Sequence, residues 1–389
     1  MIKQLRVQNY LSLREVTLDL GLRNVLVGPN MAGKSNIVDA LRFLTHMASS
    51  GLMVAVNARG GFSEILWKGT EEGQISFFVK GEVRFDENEN PRTYEYEISL
   101  VGSAKTGTGT FSIEKETLKF CDKGGEYIIA EFRNGQGKGL HKDGSVAFEA
   151  REPSNKSFLE YSIPGWEGMF IKNSISLWRF YRLIPFAMRN PNIVSEQFFL
   201  TEHGDNLSAW LLTLQTSHRE EYRRLEQAIQ DVLPDIREVL TPPTQMGTTY
   251  LTMQETHLKR PISLWRMSDG ALQFIALLSL IFAPSELGAP LFCVEEPENH
   301  LHPRMLESLV ELLQQRQQEF GSEAAQVVVT THSPHLVDMV TLEDLVVVEK
   351  EKGATRCVRP GSKKHLRGLL EREELGLGDL WYSGALGGD

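Results

Sequence analysis

In Val25-Leu26-Val27-Gly28-Pro29-Asn30-Met31-Ala32-Gly33-Lys34-Ser35-Asn36, the residues Gly28, Gly33, Lys34 and Ser35 fill the fixed positions of the phosphate-binding pattern G-x-x-x-x-G-K-[ST]. Three apolar residues precede the pattern as a short strand, and Ile37, Leu41 and Leu44 recur after it at helical spacing. A strand that turns sharply into a helix leaves successive backbone N–H groups facing one concavity, where the helix N-terminus adds partial positive charge. Such a concavity suits a nucleoside triphosphate. Lys34 would neutralise its β- and γ-phosphates, and Ser35 would ligate Mg²⁺.

A chain of 389 residues has ample length for a buried core, and 41% hydrophobic with 24% charged residues is a globular composition. Cys121, Cys293 and Cys357 are scattered and show no metal-ligand spacing, so reduced thiols in a cytoplasmic protein are expected. The N-terminus runs straight into an alternating strand pattern without a signal-peptide core. The longest apolar run, Ala271 to Ala283, is broken by Gln273 and Ser279 and is too short to span a bilayer, so no membrane partner is expected. A net charge of −10 leaves room for nucleic acid only at a local basic patch.

Ile2, Leu5 and Val7, then Val16, Leu18 and Leu20, predict two strands ahead of the loop. Further strands are expected at Gln74 to Phe85, Thr93 to Val101, Thr110 to Phe120, Glu126 to Phe132 and Val146 to Glu149. Glycine-rich pieces (Gly102 to Gly109, Gly124-Gly125, Gly135 to Gly139) separate some of them, which favours an antiparallel layer. Near Trp166 the pattern becomes helical, over Phe170 to Tyr181 and Asn206 to Leu233. Strand pattern returns at Thr249 to Gln254, followed by an apolar helix after Gly270. Buried strands at Leu291 to Val294 and Gln326 to Thr330 flank a helix at Pro303 to Glu319, and Val346 to Glu349 and Thr355 to Val358 read as a closing pair. Alternating strand and helix predict a parallel sheet carrying helices.

The strand Leu291 to Val294 delivers two carboxylates, Glu295 and Glu296, at its end. A magnesium–triphosphate site needs one carboxylate near the metal and a second group to orient or deprotonate the attacking water. Ser268-Asp269-Gly270 opens the apolar helix; a serine there is first an N-cap, and the helix start is also an anion site. Val327 to Pro334 ends a buried strand with His332 at its tip, placed to cap the next helix or to contact a γ-phosphate.

These elements, in this order, resemble the ATP-binding-cassette superfamily. The fit is closest to its RecF-like branch, which includes structural-maintenance-of-chromosomes (SMC) heads and the OLD-family ATPases. The motifs that carry the resemblance are Val7 to Ser12, Gly28 to Asn36, Met267 to Gly270, Val294 to Pro303, Thr330 to Pro334 and Leu377 to Ser383. It implies an α/β fold, a P-loop ATPase head of the ABC type with an antiparallel β layer and a short helical insertion. Residues 1–165 and 238–389 would form the head in two lobes, and 166–237 the insertion. By the same resemblance Asn30, Ala32, Gly33, Lys34, Ser35 and Asn36 hold ATP, and Ser35 with Glu295 serves Mg²⁺. Glu296 would be the catalytic base and His332 the switch histidine. Ser268, Asp269 and Gly270 would form a signature that reads the γ-phosphate on a second protomer, which implies a homodimer. Glu298 to His302 would lie in the loop that communicates between the two sites.

Several residues depart from the pattern. Glu295 stands where Asp is usual, and Asp269 replaces the first glycine of the transporter-type signature. No Q-loop is evident, Gln74 being a weak candidate. The helical section is too short for a long coiled-coil arm. The residues after Pro360 are too few for a Toprim nuclease domain, and Glu371, Glu373, Glu374 and Asp379 lack a second carboxylate-bearing strand. The expectation is an ATPase without its own nuclease, acting in DNA repair or antiphage defence on DNA or through a separately encoded effector or nuclease. The alternatives are the ATP-binding subunit of a transporter and a nucleotide-gated module with little turnover.

Overall fold

The structure, a computed structural model, describes residues 1–86, 90–122, 124–152, 155–284, 287–360 and 376–382. The chain divides into two units. One is built from Met1–Trp178 and the segment beginning at Glu343, the other from Arg179–Leu342 and the short helix Leu377–Tyr382.

In the first unit, period-two alternation produces an eight-stranded antiparallel sheet. Its order is Leu13–Asp19, Ile2–Tyr10, Glu72–Val83, Arg92–Ser103, Thr110–Asp122, Gly125–Arg133, Gln136–Leu140 and Val146–Ala150. Ile75, Phe77 and Val79 alternate toward the buried face. The helix Lys34–Ser50 packs there: Phe43 stacks on Phe77 with ring centroids 5.0 Å apart, and Tyr10 meets Phe77 edge-on at 5.0 Å. Polar groups pin the same helix. Asp39 accepts from Tyr10 Oη at 2.5 Å and from Arg59 Nε and Nη2 at 2.8 Å each, a bidentate pair. Separately, Arg23–Val27 runs parallel to Leu345–Glu351, which turns back as Ala354–Val358.

The strand Gln136–Leu140 was not expected, because its glycines read as a separator. A Cβ on Gly137 would lie 2.1 Å from Glu131 O, and one on Gly139 would lie 2.0 Å from the Phe148 ring. These glycines make room for neighbouring strands, and the turn glycine is Gly135, at φ 74°.

A fully buried carboxyl sits in this sheet. Glu116 accepts from Tyr96 Oη at 2.7 Å, from Phe158 N at 2.9 Å and from Ser157 Oγ. Burial pushes its pKa up to about 7, against these hydrogen bonds, which pull it down. Between the ordinary carboxylate range and about 7, the folded chain therefore keeps a proton that the unfolded chain has lost. Stability falls as pH rises through that window and levels off above it. Thermal melting from pH 5 to 8 should show this decline in the wild type and a flatter profile in Glu116→Gln. Parallel profiles would mean that Glu116 ionises as an ordinary carboxylate.

In the second unit, Arg179–Tyr181, Leu291–Glu295 and Gln326–Thr331 are parallel strands. The helices Leu207–Ser217, Arg219–Val232, Asp269–Ile281 and Pro303–Phe320 belong to the same unit. A small antiparallel sheet of Ile236–Leu240, Thr252–Glu255 and Ile262–Ser263 accompanies them. Trp210, Leu214, Phe274 and Leu278 are among its core residues, and the Trp210 indole N–H donates to Ser279 Oγ at 3.0 Å. The helix expected over Phe170 to Tyr181 is instead Gly168–Ser176, followed by the strand Arg179–Tyr181. Pairing with Phe292–Val294 overrides the local helical periodicity there. The helix expected over Asn206 to Leu233 is divided at His218, whose φ of −130° and ψ of 63° are not helical.

Candidate active site

The phosphate loop belongs to the first unit. Its strand is buried from Asn24 to Val27, and two glycines follow from local crowding. A Cβ on Gly28 would stand 2.1 Å from Val348 O; one on Gly33 would stand 2.0 Å from Thr355 Oγ1. Gly33 also has φ 111°, a left-handed conformation that glycine adopts without penalty. It caps the helix Lys34–Ser50 without a side chain, so the first turn has no side-chain acceptor from its own N-cap. Lys34 is 7% exposed and reaches back over the loop, donating to Gly28 O at 2.6 Å and to Pro29 O at 3.1 Å. Asn30 and Ser35 are exposed, Asn36 is half-buried and Ala32 is buried.

Two residues that sequence reasoning did not assign to the site shape this loop. Thr355 Oγ1 donates to Ala32 O at 2.9 Å, Ser12 Oγ lies 2.6 Å from Thr355 Oγ1, and Asn36 Nδ2 donates to Ser12 Oγ at 2.6 Å. With the Thr355 proton on Ala32, Ser12 donates to Thr355, and the three side chains form a directed chain beneath the loop. Thr355→Val keeps the shape and removes the middle link. Nucleotide titration should show ATP binding weakened by about five- to tenfold, the scale of one net hydrogen bond. An unchanged affinity would show that the chain does not shape the loop.

Gln74 lies exposed in the strand Glu72–Val83 and donates to Glu114 Oε2 at 2.7 Å, reaching over the intervening strand Arg92–Ser103.

The other candidate residues belong to the second unit. Glu295 ends its strand opposite Thr330. Glu296 follows at φ 49°, a left-handed conformation costing a non-glycine residue about 1–2 kcal/mol. Its N–H donates to Thr330 O at 2.9 Å, and its Oε2 accepts from Asn299 Nδ2 at 3.0 Å. His332 Nδ1 lies 3.5 Å from Glu296 Oε1, so the expected base and switch histidine are neighbours. Ser268 caps the helix Asp269–Ile281 by accepting from Ala271 N at 3.2 Å. Asp269 pairs with Arg189 Nη1 at 2.7 Å, and Arg189 Nη2 donates to Met267 O at 2.7 Å. A Cβ on Gly270 would stand 2.5 Å from His300 O, which explains the glycine. Gln273 donates to Pro297 O at 3.2 Å. The helix Asp269–Ile281 is thus tied to the loop that follows Glu296.

The donor chemistry fits the expected ions. Among the described residues no cluster of His, Cys, Asp and Glu could hold a metal by itself. Mg²⁺ carried on a triphosphate needs only one or two hard oxygen ligands beside phosphates and water, and the Ser35 hydroxyl and Glu295 carboxylate are of that class. No described helix is long and apolar enough to cross a membrane. Of the tail residues, Glu371, Glu373, Glu374 and Ser383 lie outside the described residues. Asp379 lies in the helix Leu377–Tyr382, whose Gly378 N–H donates to Asp338 Oδ1 at 2.7 Å.

Comparison with known proteins agrees with this architecture. The crystal structure of an SMC head bound to the C-winged helix domain of ScpA matches over 92% of this chain and 97% of that one, with a TM-score of 0.57 at 12% identity. An SMC head with an extended coiled coil, bound to the C-terminal domain of ScpA derived from Pyrococcus furiosus, matches over 96% and 99%, with a TM-score of 0.53 at 11% identity. Both are likenesses of fold. In sequence, 109 residues are 33% identical to the DNA double-strand break repair Rad50 ATPase of Sulfolobus acidocaldarius. That match takes in 27% of this chain and only 12% of the relative's length. Residues 23–338 match the family described as "AAA domain, putative AbiEii toxin, Type IV TA system". The chain belongs to that family, and its fold is like that of the SMC heads.

Proposed function

We propose that this chain binds Mg–ATP, hydrolyses it slowly, and uses the change as an ATP-dependent homodimeric switch. The observation that carries the reading is the pair Glu296 and His332, 3.5 Å apart beyond the ends of adjacent parallel strands. A carboxylate at that position accepts a proton from water, and an adjacent imidazole orients it. Lys34 and the amides of the phosphate loop bind the triphosphate, and Ser35 and Glu295 serve Mg²⁺, whose charge offsets that of the phosphates. Asp269 in the signature and the sequence Glu296-Pro297-Glu298-Asn299-His300-Leu301-His302-Pro303 favour the RecF/OLD-like branch.

In this reading the setting is DNA repair or antiphage defence, and the output passes to DNA or to a separately encoded effector. In this reading the segment 166–237 carries the partner surface, where Arg182, Phe186, Phe198 and Phe199 are exposed. The test is phosphate release by the purified chain with Mg²⁺ and ATP, alongside incubation with plasmid, single-stranded and branched DNA. Slow ATP turnover without DNA cleavage is expected. Cleavage abolished by a point substitution in this chain would overturn the separate effector, and absence of ATP binding would overturn the whole reading.

A further inference from the structure

Two strand ends lie side by side in the second unit. Thr330 is opposite Glu295, so the turn Glu296-Pro297-Glu298 leaves one strand where His332-Ser333 leaves the other. Glu298 spans the gap. Its Oε1 accepts from Thr331 Oγ1 at 2.6 Å and from the His332 backbone N–H at 3.1 Å, and lies 3.8 Å from His332 Nδ1. Its Oε2 is buried and accepts nothing from the described residues. The Glu298 side chain is 10% exposed, against 36% for Glu296 and 44% for His332. Glu298 is therefore the shielded member of the trio.

The imidazole sits between two carboxylates and is bonded to neither, with Nδ1 at 3.5 Å from Glu296 and 3.8 Å from Glu298. A small rotation of the ring gives Nδ1–H to one or to the other. A carboxylate at Nδ1 makes that nitrogen the donor and sets the direction in which Nε2 faces. While Nδ1–H is on Glu296, that carboxylate is engaged. Once it is on Glu298, Glu296 is free to take a proton from water.

We propose that Glu298 is a positioning residue for His332. Through one oxygen it holds the turn at Thr331 and His332, and it competes with Glu296 for the imidazole Nδ1. This rests on the reading of Glu296 as the base.

The test uses the full chain and the variants Glu298→Gln, Glu298→Ala, Thr331→Val, His332→Ala and the Glu298→Ala/His332→Ala double. Glu298→Gln keeps an oxygen for the Thr331 and His332 donors and loses the charge. Its melting temperature and KM for ATP should stay near wild type while kcat falls about tenfold, the scale of one charge-assisted hydrogen bond. Thr331→Val, which leaves the carboxylate in place, should lose less. The double variant should be no slower than His332→Ala alone, because Glu298 acts through the histidine. Independently of turnover, NMR of histidine-labelled, nucleotide-free protein should show the His332 signals displaced in Glu298→Gln, with His332 assigned by its absence in His332→Ala. Unmoved His332 signals would overturn the proposal. So would an equal loss from Glu298→Ala with and without the histidine. If Glu296→Gln hydrolyses ATP normally, the reading of the base fails instead, and the NMR result still decides whether Glu298 positions His332.

Discussion

Glu296→Gln is expected to bind ATP as the wild type does and to hydrolyse it about 10²- to 10⁴-fold more slowly, the range for loss of a general base. The substitution keeps size and an acceptor for Asn299 Nδ2, which bonds Oε2 at 3.0 Å, but an amide cannot take a proton. Lys34→Ala should fail differently. The ammonium is nearly buried and bonds two carbonyls of its own loop. Its loss removes both a staple of the loop and the charge that meets the phosphates, so ATP affinity should drop by about 10²-fold or more. Calorimetry with ATP and single-turnover phosphate release separate the two. A Glu296→Gln protein with wild-type turnover would falsify the assignment of the base.

What was legible in the sequence is what is local. The phosphate loop declares itself within eight residues, because the glycines, the lysine and the hydroxyl all serve one concavity and its flanks carry the periodicities of strand and helix. The strand Leu291–Glu295 is likewise a short apolar run ending in acids. Legibility ends where a role is set by a distant partner. Ser12 and Thr355 are 343 positions apart and touch beneath the loop, yet neither residue type carries a pattern. The ion pair of Asp39 with Arg59 and the buried Glu116 belong to the same class: each looks like a surface charge until the fold supplies its donors. Glycine misled in the opposite direction. Gly137 and Gly139 are strand residues chosen for close packing, and their composition reads as a turn. In sequence Glu298 is only part of a connecting loop, because its contact with His332 depends on the register of two strands 34 positions apart at that point.

Mixing Lys34→Ala protein with Ser268→Arg protein should restore activity that neither has alone. If two copies close around two nucleotides, each site takes its phosphate loop from one copy and its signature from the other. Lys34→Ala then carries a sound signature and a dead loop, and Ser268→Arg the reverse. A mixed dimer contains one intact site and one site damaged twice. With random pairing and independent sites, turnover per chain should recover to about a quarter of wild type. The structure constrains the choice of substitution. Ser268 is an exposed N-cap accepting from Ala271 N, so its loss costs about 1 kcal/mol of helix stability and leaves the chain folded. Arginine there adds bulk and charge where a second copy would present its nucleotide, while Asp269, held by Arg189, is left in place. Heterodimers are monitored by two affinity tags, so that failure to pair is not mistaken for failure to complement. Mixtures that pair in the presence of ATP and remain inactive would mean that each chain completes its own site, and the composite dimer would have to be abandoned.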